Sequence, residues 1–145
     1  MTNMQAAVGV AQLEKLDGFI KKKRQIAAWY SEELKGLEKK GQVKLHPEMP
    51  WAGCVYWMYS ILLTHNFGVS RDQFIKKLAE SGIETRQFFY PVHLMPPYYK
   101  GKGHFPIAED LSKKGLSLPS GVKLNKKEIG EIVKGIREAI SSKRG

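Results

Sequence analysis

The chain of 145 residues has a single cysteine, no long apolar run, no internal repeat and no low-complexity segment. Because one cysteine cannot form an internal disulfide, Cys54 is typical of a protein that folds in a reducing compartment. Its place at the start of an apolar stretch predicts a buried, unreactive thiol. No apolar run reaches the roughly 18 residues that span a membrane, and residues 1–5 lack the features of a secretion signal. We therefore expect a cytoplasmic protein without a membrane span.

Acidic residues are also scarce: 14 Asp and Glu stand against 24 Lys and Arg, which gives a net charge of +10. An excess of basic charge favours anionic partners in general. The basic pairs are scattered along predicted helices, however, so solvated helix faces explain them as well as a nucleic-acid-binding patch does. Charge alone leaves both interpretations open.

Helix starts are marked three times by a small polar residue followed three positions later by Gln or Glu: Thr2 and Gln5, Ser70 and Gln73, Asn125 and Glu128. These capping patterns precede apolar residues at helical spacing and predict three helix starts. Asp17-Gly18 predicts a break that divides the first helical stretch into two helices, the second of which ends at Gly41. A short helix is predicted over 106–114.

Four strands are predicted between these helices. Residues 43–45, 83–90 and 116–118 form short apolar stretches, and 54–63 is almost continuously apolar. The last pattern predicts a central strand with Trp57 and Tyr59 in the core. The order of elements predicts an α+β fold, in which a small, largely antiparallel sheet is packed with helices. The length favours a single domain.

The most informative stretch is 84–99, which combines one arginine, one histidine, several aromatic residues and three prolines. Its apolar start predicts a strand, and its X-Pro steps then favour an extended loop. We therefore expect Arg86 and His93 near a rigid strand end, where binding residues often lie. The alternative is a core strand and a stiff loop, with Arg86 in a surface ion pair and His93 in a structural role. No metal site is predicted, because the other histidines lie in separate loops without ligand spacing: His46, His65 and His104.

Several segments, in this order, resemble the C-terminal part of the pyridoxal-phosphate-dependent sugar aminotransferases of the DegT/StrS type. They are the helix of residues 1–16, then Val55-Tyr56-Trp57-Met58-Tyr59, Gly82-Ile83-Glu84-Thr85-Arg86, Phe89-Tyr90-Pro91-Val92-His93 and Leu116-Ser117-Leu118-Pro119-Ser120-Gly121. Each segment alone is unspecific, whereas the combination is specific and covers essentially the whole chain. Within the family, the chain resembles the enzymes that aminate nucleotide-linked 4-keto sugars, such as the perosamine synthases.

This resemblance implies the fold of the C-terminal small domain of fold-type I pyridoxal-phosphate-dependent transferases. Residues 1–40 would be a helical segment that links to a large domain, and 41–145 would be the α+β small domain within one domain over 1–145. In the family, the large domain carries the lysine that holds the cofactor, and no recognisable version of that lysine loop is present here. We therefore expect a fragment that holds no catalytic residue and binds no pyridoxal phosphate on its own.

In the complete enzyme, the resemblance implies transfer of an amino group, typically from glutamate, to a keto group of a nucleotide-diphosphate sugar. Arg86, Tyr90 and His93 are then expected to bind the substrate. Arg86 would pair with a phosphate or carboxylate, His93 would contact the hexose or its phosphate, and Tyr90 would form a pocket wall. Gln87 stands where the family commonly has proline, and Met95 where glutamine is common, so the identity of the sugar stays open.

The small residues of 6–11 predict a helix that packs closely against a large domain or a second subunit. A homodimer is implied for the complete enzyme, and the isolated chain is expected to self-associate through its exposed apolar surface. Two alternatives remain: a basic module that binds single-stranded nucleic acid, and a dimerisation lobe without chemistry. Nucleic acid is the weaker alternative, because the aromatic residues lie inside apolar stretches rather than among the lysines.

Overall fold

The computed structural model describes residues 1–99 and 103–141. Within these residues the chain forms five helices and four strands. The helices are α1 (Asn3–Leu13), α2 (Leu16–Lys39), α3 (Arg71–Glu80), α4 (Pro106–Lys114) and α5 (Lys126–Ser141). The strands are β1 (Val43–Lys44), β2 (Tyr59–Leu63), β3 (Arg86–Gln87) and β4 (Gly115–Leu118). No helix among the described residues is long and apolar enough to cross a membrane.

The four strands form one antiparallel sheet in the order β1-β2-β4-β3. Tyr59 pairs with Leu118 in the centre of the sheet. At one edge, Arg86 of β3 pairs with Ser117 of β4. The predicted α+β fold with a small antiparallel sheet is therefore confirmed.

The core lies on one face of this sheet, because β2 alternates buried and half-buried residues. Helices α2, α3 and α5 cover that face, and α5 packs against both of the others. Tyr30 of α2 stacks on Tyr59 of β2 with ring centroids 4.9 Å apart, and its hydroxyl donates to the carbonyl oxygen of Pro119 over 2.7 Å. Helix α4 lies against β2 from the opposite face. The sheet thus has a filled face and a partly covered face, and the second one holds the candidate site.

The prediction of a long central strand over 54–63 is wrong in its first half. Residues 54–58 form a loop, Tyr56 has a φ of +48°, and Trp57 is 67% exposed rather than part of the core. In this loop, side chains rather than a neighbouring strand form hydrogen bonds with the backbone. The amide of Cys54 donates to Glu48 over 2.9 Å, and its carbonyl accepts from Arg24 over 3.0 Å. The Cys54 thiol, predicted to be buried, is half-buried.

Two further predictions need correction. The strand predicted over 83–90 is reduced to β3, because its partner β4 has only four residues and Pro91 has no amide hydrogen to continue a ladder. The break in the first helical stretch lies at residues 14–15 instead of Asp17-Gly18, which α2 includes. None of the residues described in α1 is buried, although its predicted capping box is present.

Candidate functional site

Arg86 lies on the edge strand β3 and lines an open cleft of about 340 Å³. We call this the Arg86 cleft; its other walls are Trp57, Met58, Glu84 and residues 117–120. The side chain of Arg86 makes no hydrogen bond or ion pair with any residue that the structure describes. The alternative of a surface ion pair is therefore not realised, and the guanidinium is available to a ligand.

Lys23 of α2 holds the two walls of this cleft together. Its amine donates to the carbonyl oxygen of Trp57 over 2.7 Å and to that of Ser120 over 2.6 Å. Burial lowers the pKa of this lysine. Sequence reasoning left the basic run of 21–24 open between a solvated helix face and a nucleic-acid-binding patch, and it missed this role of Lys23. Position 23 nevertheless lies four residues from Phe19 and from Ala27, on the apolar stripe of α2, and that spacing was the available signal.

Glu48 organises the loop that carries Trp57. Its carboxylate accepts from the amide of Cys54, from the hydroxyl of Tyr56 over 3.0 Å and from the guanidinium of Arg24 over 3.2 Å. These hydrogen bonds lower the pKa of Glu48, with the Cys54 amide as the largest cause and the Tyr56 hydroxyl next. Burial and the contact with Glu48 raise the pKa of Tyr56 to about 12. The network fixes Tyr56 in its left-handed conformation and so turns Trp57 towards the Arg86 cleft.

His93 lies in the 3-10 turn Val92–Leu94 and is bound to α4. Its Nε2 donates to Oε1 of Glu109 over 3.0 Å, and the two side chains are only 18% and 22% exposed. The ring also contacts Phe105, with centroids 4.7 Å apart. The hydrogen bond from His93 is the largest cause of a lowered pKa at Glu109. His93 lines an open cavity of about 510 Å³, which we call the His93 cavity, together with Pro91, Val92, Pro97, Tyr98, Phe105 and Ala108.

The structure does not bring the three predicted site residues together within the residues it describes. Arg86 and His93 line different cavities, and Tyr90, which is 58% exposed, lines neither of them. Gln87 lies between the two and lines a third cavity of about 510 Å³ on the second face of the sheet. This sheet cavity shares Trp57 and Met58 with the Arg86 cleft and Ala108 with the His93 cavity. The three cavities are therefore neighbours in a row along β3, the following loop and α4.

The linings that the structure describes for these three cavities contain no lysine. An aldehyde cofactor needs a lysine amine beside it, and no lysine that the structure describes lines the Arg86 cleft, the sheet cavity or the His93 cavity. The amine of Lys23, which lies behind the Arg86 cleft, donates hydrogen bonds to two backbone carbonyls. Over 1–99 and 103–141, no three His, Cys, Asp or Glu side chains are placed to hold a metal ion either. This row of cavities can therefore bind and orient a ligand, but no described lysine stands in it to act as a nucleophile.

Comparison with known proteins decides the family. The model of the DegT/DnrJ/EryC1/StrS aminotransferase family matches residues 1–137. The chain belongs to this family. The resemblance found in its sequence segments is thereby confirmed.

Individual relatives and solved structures agree with this membership. GDP-perosamine synthase of Escherichia coli O157:H7 is 41% identical over 143 residues, which cover 99% of this chain and 37% of the relative. GDP-perosamine synthase of Vibrio cholerae is 41% identical over 139 residues, with 94% and 37% covered. The crystal structure of S. venezuelae DesV in complex with a ketimine intermediate has a TM-score of 0.83 at 29% identity and covers 94% of this chain and 36% of that chain. The chain thus spans little more than a third of the length of these family members.

Proposed function

We propose that this chain is the C-terminal part of a pyridoxal-phosphate-dependent sugar aminotransferase and supplies walls of its substrate pocket. The observation that carries the proposal is the family match over residues 1–137, together with a GDP-perosamine synthase that is 41% identical over 99% of the chain. When bound to the complete enzyme, pyridoxal phosphate would carry the amino group between donor and acceptor. The residues of this chain would bind and orient the sugar.

The proposed acceptor is a nucleotide-diphosphate sugar with a keto group, and the proposed donor is glutamate. Support comes from the unpaired Arg86 in its cleft, because a planar guanidinium binds a phosphate or a carboxylate through two parallel hydrogen bonds. His93 is proposed to contact the hexose from the His93 cavity at the other end of the row, and Tyr90 from the exposed loop that precedes His93. Such a division is consistent with a ligand that has a charged part and an uncharged sugar part. Gln87 and Met95 would then influence which sugar is accepted.

The proposed assembly is a homodimer in the cytoplasm. Support comes from α1, which presents apolar side chains to solvent although its helix is well capped: Met4, Val8, Val10 and Leu13. The division into a linking segment over 1–40 and a small domain over 41–145 also stays a proposal. Helix α2 places Ile26, Tyr30 and Leu34 in the core of the second segment, so the two would fold together.

Two observations test this function. The coding sequence upstream of Met1 is expected to contain the lysine loop of the family; a sequence without that lysine would contradict the proposal. The purified chain mixed with pyridoxal phosphate is expected to show only the absorbance of free and surface-bound cofactor. A stable yellow complex with one cofactor per chain would show that the reactive lysine lies within this chain.

A further inference from the structure

Two side chains one turn apart on α4 hold the loop that carries the candidate residues Tyr90 and His93. The Glu109 carboxylate accepts from Nε2 of His93 over 3.0 Å. Three residues later, the hydroxyl of Ser112 donates to the carbonyl oxygen of Phe89 over 3.0 Å. Residues three apart lie on the same face of a helix. One face of α4 therefore holds the loop on both sides of Tyr90.

Helix α4 is itself fixed to the body of the fold. The guanidinium of Arg71, at the start of α3, donates to the carbonyl oxygen of Ser112, and its side chain is largely buried. Helix α4 also packs against β2. A chain of contacts thus runs from α3 through Ser112 to Phe89, so α4 can act as a rigid support for the loop.

The Glu109 carboxylate also determines what His93 can offer to a ligand. An ionised carboxylate only accepts hydrogen bonds, so the imidazole must carry a proton on Nε2. The other ring nitrogen, Nδ1, makes no hydrogen bond with the described residues. The remaining groups that act on Glu109 are the amide of Phe105 and the imidazole of His104, and both favour its ionised form. Nδ1 of His93 thus remains available to a ligand in the His93 cavity.

We infer that Glu109 is a positioning residue that acts through His93: it holds Nε2 and leaves Nδ1 for a hydrogen bond with a ligand hydroxyl. This inference rests on the proposed function for the nature of the ligand, a sugar. It also narrows the earlier expectation for His93 to a hydroxyl of the hexose, since Arg86, the group proposed for the phosphate, lines a different cavity. Arg86 remains the group for the phosphate. Ser112 supports the same loop through its backbone.

The test uses the chain itself and compares Glu109→Ala with Asp110→Ala. Asp110 is the neighbouring acid on α4, is exposed and pairs with Lys114, so it is a matched control. Limited chymotrypsin digestion reports the release of the loop, because Phe89, Tyr98 and Tyr99 are exposed and none of them precedes a proline. We expect cleavage in Glu109→Ala to be about 10- to 100-fold faster than in the parent, as the loss of one charge-assisted hydrogen bond implies. Asp110→Ala is expected to match the parent.

Two further measurements separate positioning from general stability. Glu109→Gln keeps an acceptor for Nε2 and is expected to restore slow cleavage. Long-range proton–nitrogen spectra of His93 at alkaline pH should show Nε2 protonated and Nδ1 unprotonated in the parent, and a mixture of both forms in Glu109→Ala. Equal cleavage of Glu109→Ala and Asp110→Ala, or a parent imidazole with its proton on Nδ1, would overturn the inference.

Ser112→Ala provides a second route if Glu109→Ala does not fold. It is expected to increase cleavage after Phe89 several-fold while the nitrogen signals of His93 stay as in the parent. Unchanged cleavage in Ser112→Ala would show that α4 does not support the loop. None of these readouts involves a cofactor or a sugar, so a failure here leaves the proposed aminotransferase function intact. Likewise, results that confirm the attachment of the loop to α4 would not support the aminotransferase function if the upstream lysine were missing.

Discussion

The ring of Phe88 lies directly on Gly115. A Cβ atom at position 115 would come within 2.5 Å of Cγ of that ring, closer than real side chains allow. The amide of Phe88 donates to the carbonyl of the same glycine over 3.2 Å. The absence of a side chain at residue 115 therefore lets the loop after β3 continue along the sheet and places Phe88 in the sheet cavity.

Gly115→Ala is predicted to displace Phe88 and to lower the free energy of unfolding by about 1–3 kcal/mol, the usual cost of overpacking. Urea unfolding measures this change. Gly130→Ala is the control, because position 130 lies in α5 with open space around its Cβ and should gain up to about 1 kcal/mol from higher helix propensity. If Gly115→Ala left the free energy of unfolding unchanged, the position of Phe88 would not depend on this contact.

Lys23→Met is predicted to separate the walls of the Arg86 cleft. It leaves the carbonyls of Trp57 and Ser120 without their donor, and the free energy of unfolding should fall by about 1–3 kcal/mol. Lys21→Met removes the same charge from an exposed position of the same helix and is expected to change stability by less than about 0.5 kcal/mol. Equal stabilities of the two variants in urea would contradict the role of Lys23.

Glu48 is predicted to make the chain less stable in acid. Its pKa in the folded state is lowered, so the stability that it contributes is complete above its ordinary pKa of 4.5 and is lost as the pH falls through the lowered value. Glu48→Gln should therefore show a shallower loss of unfolding free energy below pH 4.5 than the parent does. Glu131→Gln, an exposed carboxyl of α5, serves as the control. Parallel pH profiles for the parent and Glu48→Gln would contradict the network around the Trp57 loop.

Self-association is predicted to occur through α1. Val8 is exposed on a helix that carries no charged residue over Asn3–Leu13, whereas the whole chain has a net charge of +10. Val8→Lys should reduce the sedimentation coefficient to that of a monomer, because a buried ammonium in an apolar contact is unfavourable. Asn3→Lys adds the same charge to a different face of the same helix, at an exposed position, and is the control. A parent chain that sediments as a monomer at moderate concentration would contradict this prediction.

Local signals made much of the fold predictable. The capping pairs of Thr2 and Ser70 form as the sequence indicates, and the helix over 106–114 has the predicted bounds. The terminal helix buries Ile129, Val133 and Ile136, as its helical spacing predicts. These features depend on residues three or four positions apart, so a reading of the sequence alone can find them.

The candidate site was less predictable, because distant residues determine it. The loop over 54–58 has the composition of a strand, but the backbone of Cys54 bonds to the side chains of Arg24 and Glu48, 30 and 6 residues away, instead of to a neighbouring strand. In the same way, the sequence around His93 indicates only a loop histidine, because its hydrogen-bond partner Glu109 lies 16 residues later in the chain. The sequence predicted correctly that Arg86 lies on a strand. It did not predict that Arg86 and His93 line different cavities, because that depends on the position of α4.

The kinetics of a chimera test the central claim most directly. In it, this chain replaces the aligned segment of the GDP-perosamine synthase of Escherichia coli O157:H7, and amination of a nucleotide-linked 4-keto sugar is measured. We predict that Arg86→Ala leaves the cofactor absorbance unchanged but lowers kcat/KM roughly 10- to 100-fold, as expected for a lost charge-assisted hydrogen bond. Lys113→Ala, an exposed cation on α4, should have the kinetics of the parent chimera. The same kcat/KM for both variants would contradict the assignment of Arg86 to the substrate pocket.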